Sequence, residues 1–320
     1  MLTRTTTALL SLIACAAPAV AGGCQTENLM PEFLAFRDAT ATLPPDQRAD
    51  RFIADIAAKH PAYFQTDVFG SNQDLRGYAL GLLDRAHPEQ FADYPPLSEE
   101  KLRAAGAAFP GDFANAEARF AKSFPDFRCE TPILFGPSFN RFAGSGGTGR
   151  DGVYRMRFGI DLIAEIYPLS DLPVLFAHEL FHVYHRQVLG KTLEQSFGVV
   201  WWGAWVEGLA SYVSYKITPG ATTQLALPFP PDLVARMQAP GVMKLAAGRM
   251  LQDLDKTGKD YGLWFHTGES YPDLPPCAGC YVGYRMAAAL SAKYSLPELA
   301  RLTPEKLKPL IREYLAKQAR

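Results

Sequence analysis

His178-Glu179-Leu180-Phe181-His182 is the stretch on which the reading of this chain turns. A helix turns once in about 3.6 residues, so histidines four positions apart project from one face. Their ring nitrogens can reach a single Zn²⁺ at about 2.0–2.1 Å. Glu179 is rotated from His178 by roughly 100°, which lets its carboxylate approach a water without occupying the ion. The flanks suit a helix: Ser170-Asp171 offers a cap, Pro173 fits a first turn, and Val174, Leu175, Leu180, Phe181 and Val183 supply a buried face. Gly190 supplies a stop.

A catalytic zinc takes three protein ligands and keeps one position open. Downstream, Trp205-Val206-Glu207-Gly208-Leu209-Ala210 lies in an apolar segment, Phe197 to Ile217, long enough for a second buried helix. Glu207 is the only acid between Glu194 and Asp232. A carboxylate there is costly to bury unless it is paired or bound to a metal, so Glu207 is the expected third ligand. Small Gly208 and Ala210 would let the two helices pack closely. His185 lies about 10.5 Å along the axis from His178, too far to share an ion with both histidines, and is expected beside the site or at the surface. Glu194, in Lys191-Thr192-Leu193-Glu194-Gln195, reads as part of an exposed helix start.

Together these residues resemble the gluzincin metallopeptidases, in which an H-E-x-x-H helix is followed on the next helix by E-G-x-A. The nearer likeness is to poorly characterised bacterial zinc-dependent proteases with E-G-L-A and a later G-Y segment, here Gly283-Tyr284. Glu207 follows His182 by 25 positions, more than in thermolysin-like members, and a longer connection around Leu189 to Phe197 absorbs the difference. The resemblance covers Leu172–Tyr215 and Cys280–Ala289. It implies an α+β, mainly helical fold: a zincin-like catalytic core with a small sheet and the HExxH helix, flanked by N- and C-terminal helical regions. It further implies Zn²⁺ as cofactor, His178, His182 and Glu207 as metal ligands, Glu179 as general base, and a peptide or protein substrate. Tyr284 is the first candidate to steady the oxyanion, with Tyr281, Arg285 and His266 behind it; the plainer reading of Tyr281 and Tyr284 is packing. Two alternatives share these residues: a zinc hydrolase of a non-peptide amide or ester, and an inactive zincin-fold secreted binding protein.

Arg4 precedes an uncharged apolar stretch, Ala8 to Val20, ending in Ala19-Val20-Ala21. This is the pattern of a cleaved secretory signal over residues 1–21, and it is too short to span a membrane. It predicts an exported protein, periplasmic or secreted. Leu12-Ile13-Ala14-Cys15 offers the alternative of a lipid anchor on Cys15. Cleavage leaves Cys24, Cys129, Cys277 and Cys280, an even number where disulfides are permitted. The expected pairs are Cys24–Cys129, tying down the N-terminus, and Cys277–Cys280 as a local clip; a redox pair or half of a metal site are the alternatives for the second. A net charge of −1 carries no basic excess that would point to nucleic acid or an anionic membrane. No later segment reads as transmembrane.

Residues 22–128 read as an N-terminal helical region, with helices expected at 30–39, 45–59, 72–86, 98–108 and 112–123. Residues 129–320 read as the metallopeptidase domain with a C-terminal helical lobe, its helices expected at 232–239, 242–254, 281–294 and 304–315. Ile133-Leu134-Phe135 and Tyr154 to Ile160 read as strands. Arg155-Met156-Arg157-Phe158-Gly159 is expected to be an edge strand that holds extended substrate, and Gly144 to Gly149 a flexible loop or flap.

Overall fold

The computed structural model of the chain describes residues 23–83, 99–195, 198–266 and 268–320. The expected secretory signal over residues 1–21, with Cys15, lies outside them. A short strand, β1 (Thr26–Asn28), leads into α1 (Met30–Ala39), α2 (Pro45–Phe52) with a π turn at Ile53–Ala57, α3 (Thr66–Phe69) and α4 (Asn72–Leu82). Ser71 and Asp74 start α4 as a capping box, each side chain accepting the other's backbone N–H. Next comes α5 (Glu99–Ser123), where the sequence suggests two helices broken near Pro110. Instead the helix runs straight through. Proline has no N–H for the carbonyl four residues back, that of Gly106, and Asn28 Nδ2 donates to this carbonyl at 3.4 Å. Phe109 and Phe113, on either side of Pro110, are anchored in the core.

The sheet follows: β2 (Ile133–Gly136), β3 (Gly144–Thr148) and β4 (Tyr154–Gly159), in spatial order β1-β2-β4-β3. β1 and β4 lie parallel to β2, whereas β3 returns antiparallel to β4 with Gly144 opposite Phe158 and Thr148 opposite Tyr154. This corrects two expectations. The glycine-rich stretch is a strand, and it is the edge. Arg155–Gly159 is interior, and Arg157 is fully buried with Nε and Nη2 donating to the carbonyls of Tyr63 and Ala62 at 3.1 and 3.0 Å, so it is not free to hold substrate.

The N-terminal region is built into this sheet through β1, and the Cys24–Cys129 disulfide joins residues 105 apart. That pairing is as expected. One hydrophobic cluster runs from Leu29 to Leu315. At its centre Phe176 meets Phe109 of α5 and Phe158 of β4 at ring-centroid distances of 4.5 and 5.5 Å, edge-on contacts worth about 0.5–1.5 kcal/mol each beyond burial.

After β4 the chain is helical: α6 (Ile160–Ile166), α7 (Leu172–Leu189), α8 (Lys191–Gln195), α9 (Val200–Ile217), α10 (Thr223–Ala226), α11 (Leu233–Gln238), α12 (Val242–Asp253), α13 (Lys259–Phe265), α14 (Ala278–Leu290), α15 (Leu296–Ala300) and α16 (Pro304–Gln318). The architecture is thus mainly helical around a small mixed sheet. Among the described residues no helix is long and apolar enough to cross a membrane.

α9 lies between α7 and α14. Its tightest contact is with α14, where a β-carbon on Gly208 would overlap the backbone of Gly283, and one on Gly283 would overlap the carbonyl oxygen of Ala204. Small Gly208 therefore serves the approach of α14, not that of α7. Because the obstruction is backbone, it cannot swing aside. Gly283→Ala is expected to lower stability by about 3 kcal/mol, the upper range for overpacking, read as a fall in the urea midpoint at unchanged slope.

Candidate active site

α7 starts with Pro173 in its first turn and stops at Gly190, which takes φ 54°. The expected cap is not made: Ser170 Oγ donates to Asp171 Oδ1 at 3.0 Å, and Asp171 has no side-chain bond to the helix N-terminus. Phe176, Leu180, Phe181 and Tyr184 face the core, which leaves His178, Glu179 and His182 on the opposite side. The Tyr184 hydroxyl donates to Asp126 at 3.0 Å and accepts from Arg301 at 2.7 Å, fastening the helix from behind.

His178 Nε2 and His182 Nε2 are 3.0 Å apart, and Glu207 Oε2 on α9 lies 3.5 Å from the first and 3.7 Å from the second. Two ligands at 2.0–2.1 Å from one ion in tetrahedral arrangement are separated by about 3.3 Å. The trio therefore has the spacing of a single zinc shell. Both imidazoles are mostly buried, while the Glu207 side chain is 34 % exposed, into the cavity.

The charges agree with the distances. Burial alone would raise the Glu207 carboxyl, but charged His182 and the hydrogen bonds from both histidines overrule it and hold the carboxyl well below the usual range. Burial likewise opposes charge on His182, and the neighbouring Glu207 carboxylate overrules that too, pushing its pKa up to about 9. The donor set of two imidazoles and a carboxylate suits Zn²⁺, which would take the place of the proton on His182.

A cavity of about 270 Å³ opens over these groups, with Gly144, His178, Glu179 and Glu207 among its polar lining and Leu227 and Phe229 among its apolar lining. A larger one, of about 560 Å³, lies around Phe64, Gln65 and Asp67 and contains none of these groups. Edge strand β3 crosses the site. A β-carbon on Gly144 would overlap the Glu179 carboxylate, and one on Gly146 would overlap the Tyr154 hydroxyl. The two glycines share one face of the strand, about 6.8 Å apart, so the Glu179 carboxylate and the Tyr154 hydroxyl lie beneath the same face. Burial first, then the charge of Glu179, pushes the Tyr154 pKa up to about 12, so the phenol keeps its proton at neutral pH. The Arg186 guanidinium sits 4.3 Å from its ring centre.

Tyr154, which does not itself line the cavity, is a residue near Glu179 that sequence reasoning did not single out. It was legible as a strand residue, but its place under β3 depends on the β3–β4 pairing. The structure does not bring Tyr284 to the cavity. Its hydroxyl lies 3.2 Å from Thr223 Oγ1, and its ring packs against Tyr212 and Tyr215, because the neighbouring Gly283 is pressed onto α9. Tyr281 is buried and its hydroxyl accepts from Arg285 at 3.2 Å. His266 is exposed at the end of α13. His185 is fully buried, not at the surface, against Phe181 and Trp202, and is outside the ligand trio. Glu194 falls in α8, and its side chain is outside the described part of the structure.

The expected Cys277–Cys280 clip is absent: both residues are thiols. α14 begins at Ala278, three positions before the expected start, with Cys277 at its N-cap in the left-handed region at φ 58°. There Cys277 Sγ donates to the Phe265 carbonyl at 3.4 Å.

Compared with family models, with curated proteins and with solved structures, the chain matches none. The site's own geometry carries the argument. Elemental analysis of purified protein is expected to find one zinc per chain, lost in His182→Ala and Glu207→Ala and retained in Glu179→Gln. Zinc retained by Glu207→Ala would remove Glu207 from the ligand set.

Proposed function

We propose that the chain is an exported zinc-dependent metallopeptidase, with His178, His182 and Glu207 as metal ligands. The observation that carries this reading is the trio at single-ion spacing, with His178, Glu207 and Glu179 lining one cavity beside edge strand β3. Zinc, when bound, supplies polarisation of the scissile carbonyl and a water acidified toward neutrality.

The chain's own groups do the rest. The edge of β3, unpaired among the described residues, can bond an extended peptide through its main chain, and glycines at 144 and 146 keep the strand close to the reacting groups. Glu179 accepts the proton of the attacking water and delivers it to the leaving nitrogen. Tyr154, protonated and next to Glu179, donates its hydroxyl hydrogen to the oxygen that gains charge as the carbonyl is attacked. Leu227, Phe229 and their neighbours exclude water and favour apolar substrate side chains. The Cys24–Cys129 disulfide supports export, because such bonds persist in oxidising compartments.

A peptide-library assay tests the reading. Glu179→Gln is expected to cut kcat by about 10²–10⁴-fold, the usual weight of a general base, with zinc retained. Tyr154→Phe is expected to cut kcat by about 10²–10³-fold with little change in KM, as for loss of an oxyanion donor. Hydrolysis of esters but of no peptide would move the assignment to the non-peptide hydrolase, and wild-type activity in Glu179→Gln would end it.

A further inference from the structure

Cys277 and Cys280 are not used by the chemistry above, yet both line the cavity that holds His178, Glu179 and Glu207. Cys277 is otherwise buried and Cys280 is half-buried, so the cavity is where a small reagent meets them. Their backbones are already joined, Cys280 N–H donating to the Cys277 carbonyl at 3.0 Å. Residues three apart on a helix have β-carbons about 5–6 Å apart, whereas a disulfide needs about 3.8 Å. Cys277 lies outside the regular helix at its N-cap, so an adjustment there brings the two sulfurs together without unwinding α14.

We propose that Cys277 and Cys280 are a reversible dithiol–disulfide pair in the wall of the cavity, closed by exchange with a small-molecule disulfide such as oxidised glutathione. The interaction with Cys277, and then burial, push the half-buried Cys280 thiol up, so exchange is slow and waits on loss of its proton; as thiolate it attacks one sulfur of the reagent, forms a mixed disulfide and releases one thiolate. Cys277, as thiolate, then attacks the Cys280 sulfur and releases the second. Two electrons and two protons leave the pair, and the reagent becomes two thiols. A reduced thiol reverses both steps.

The contrast with Cys24–Cys129 separates this role from stapling. That bond closes a loop across 105 positions, where the restriction of the unfolded chain is large. A bond across two intervening residues restricts it far less.

Oxidation is felt at the cavity wall. The reduced Cys277 thiol donates to the Phe265 carbonyl at 3.4 Å; a disulfide sulfur has no proton to give. Phe265 also lines the cavity, its ring lodged beside Gly203 of α9 and Gly279 of α14. Taking that ring as part of the substrate wall rests on the peptidase reading. The redox chemistry itself does not.

The test equilibrates the full chain across ratios of reduced to oxidised glutathione, quenches with acid, alkylates, and maps the cysteines by mass spectrometry. The expected result is a graded, reversible loss of two hydrogens confined to the Cys277–Cys280 peptide, with Cys24–Cys129 closed throughout. Two alkylated thiols at every ratio, a stable glutathione adduct on Cys280, or a bond as resistant as Cys24–Cys129 would each overturn the proposal. None of these readouts needs zinc or turnover, so a chain that hydrolyses no peptide still decides it. If peptides are cleaved, oxidation is expected to raise KM by about two- to tenfold, the weight of one hydrogen bond. Cys277→Ser, which keeps a donor for Phe265 and cannot form the disulfide, is expected not to respond. A KM unmoved in oxidised wild type would overturn the link to the cavity.

Discussion

The carboxylate of Glu207, at the cavity wall on α9 and facing two imidazoles of α7, is the constraint around which the helices are arranged. A charge in so apolar a segment is costly unless it is paired, and among the described residues the histidines at 3.5 and 3.7 Å pair with it. They do so only while α7 and α9 stay in register. Each helix is therefore held from its outer side, α7 by Phe176 on the sheet and by Asp126 and Arg301 on Tyr184, and α9 by α14. The glycine following Glu207 has a steric purpose: its missing β-carbon is the space into which Gly283 fits.

Features governed by local physics were legible in the sequence. The spacing of His178 and His182 follows from the helical repeat alone, and the isolation of Glu207 in an apolar run follows from the cost of burying a charge. The bounds of α1 and the strand character of β2 and β4 came from periodicity. What was not legible depends on partners far along the chain. α5 crosses Pro110 because Asn28 serves the Gly106 carbonyl from 78 residues away, and nothing near Pro110 announces this. The place of Arg155–Gly159 inside the sheet needed the knowledge that a glycine-rich segment would pair outside it.

That segment shows why a glycine run is ambiguous when read alone. Freedom in φ suggests a flap, but the two glycines over the site are in an ordinary strand, and neither Gly144 nor Gly146 takes a positive φ. Their composition answers proximity, since the Glu179 carboxylate and the Tyr154 hydroxyl fill the volume that side chains would take. Closeness also places Tyr284 away from the cavity, since the neighbouring Gly283 lies against α9. It sits in the segment that gave the family likeness, whereas Tyr154 comes from a strand outside that likeness.

His185 completes the electrostatic argument by what it withholds. Burial first, and then the charge of His182, pushes its pKa down to about 3, so at neutral pH it is an uncharged ring packed against Phe181 and Trp202. Its two nitrogens have no partner among the described residues, a cost of the order of 1–3 kcal/mol for each buried polar group left unsatisfied. Kept neutral, His185 adds no positive charge beside His182 and leaves the pairing with the Glu207 carboxylate to the two histidines that point at it.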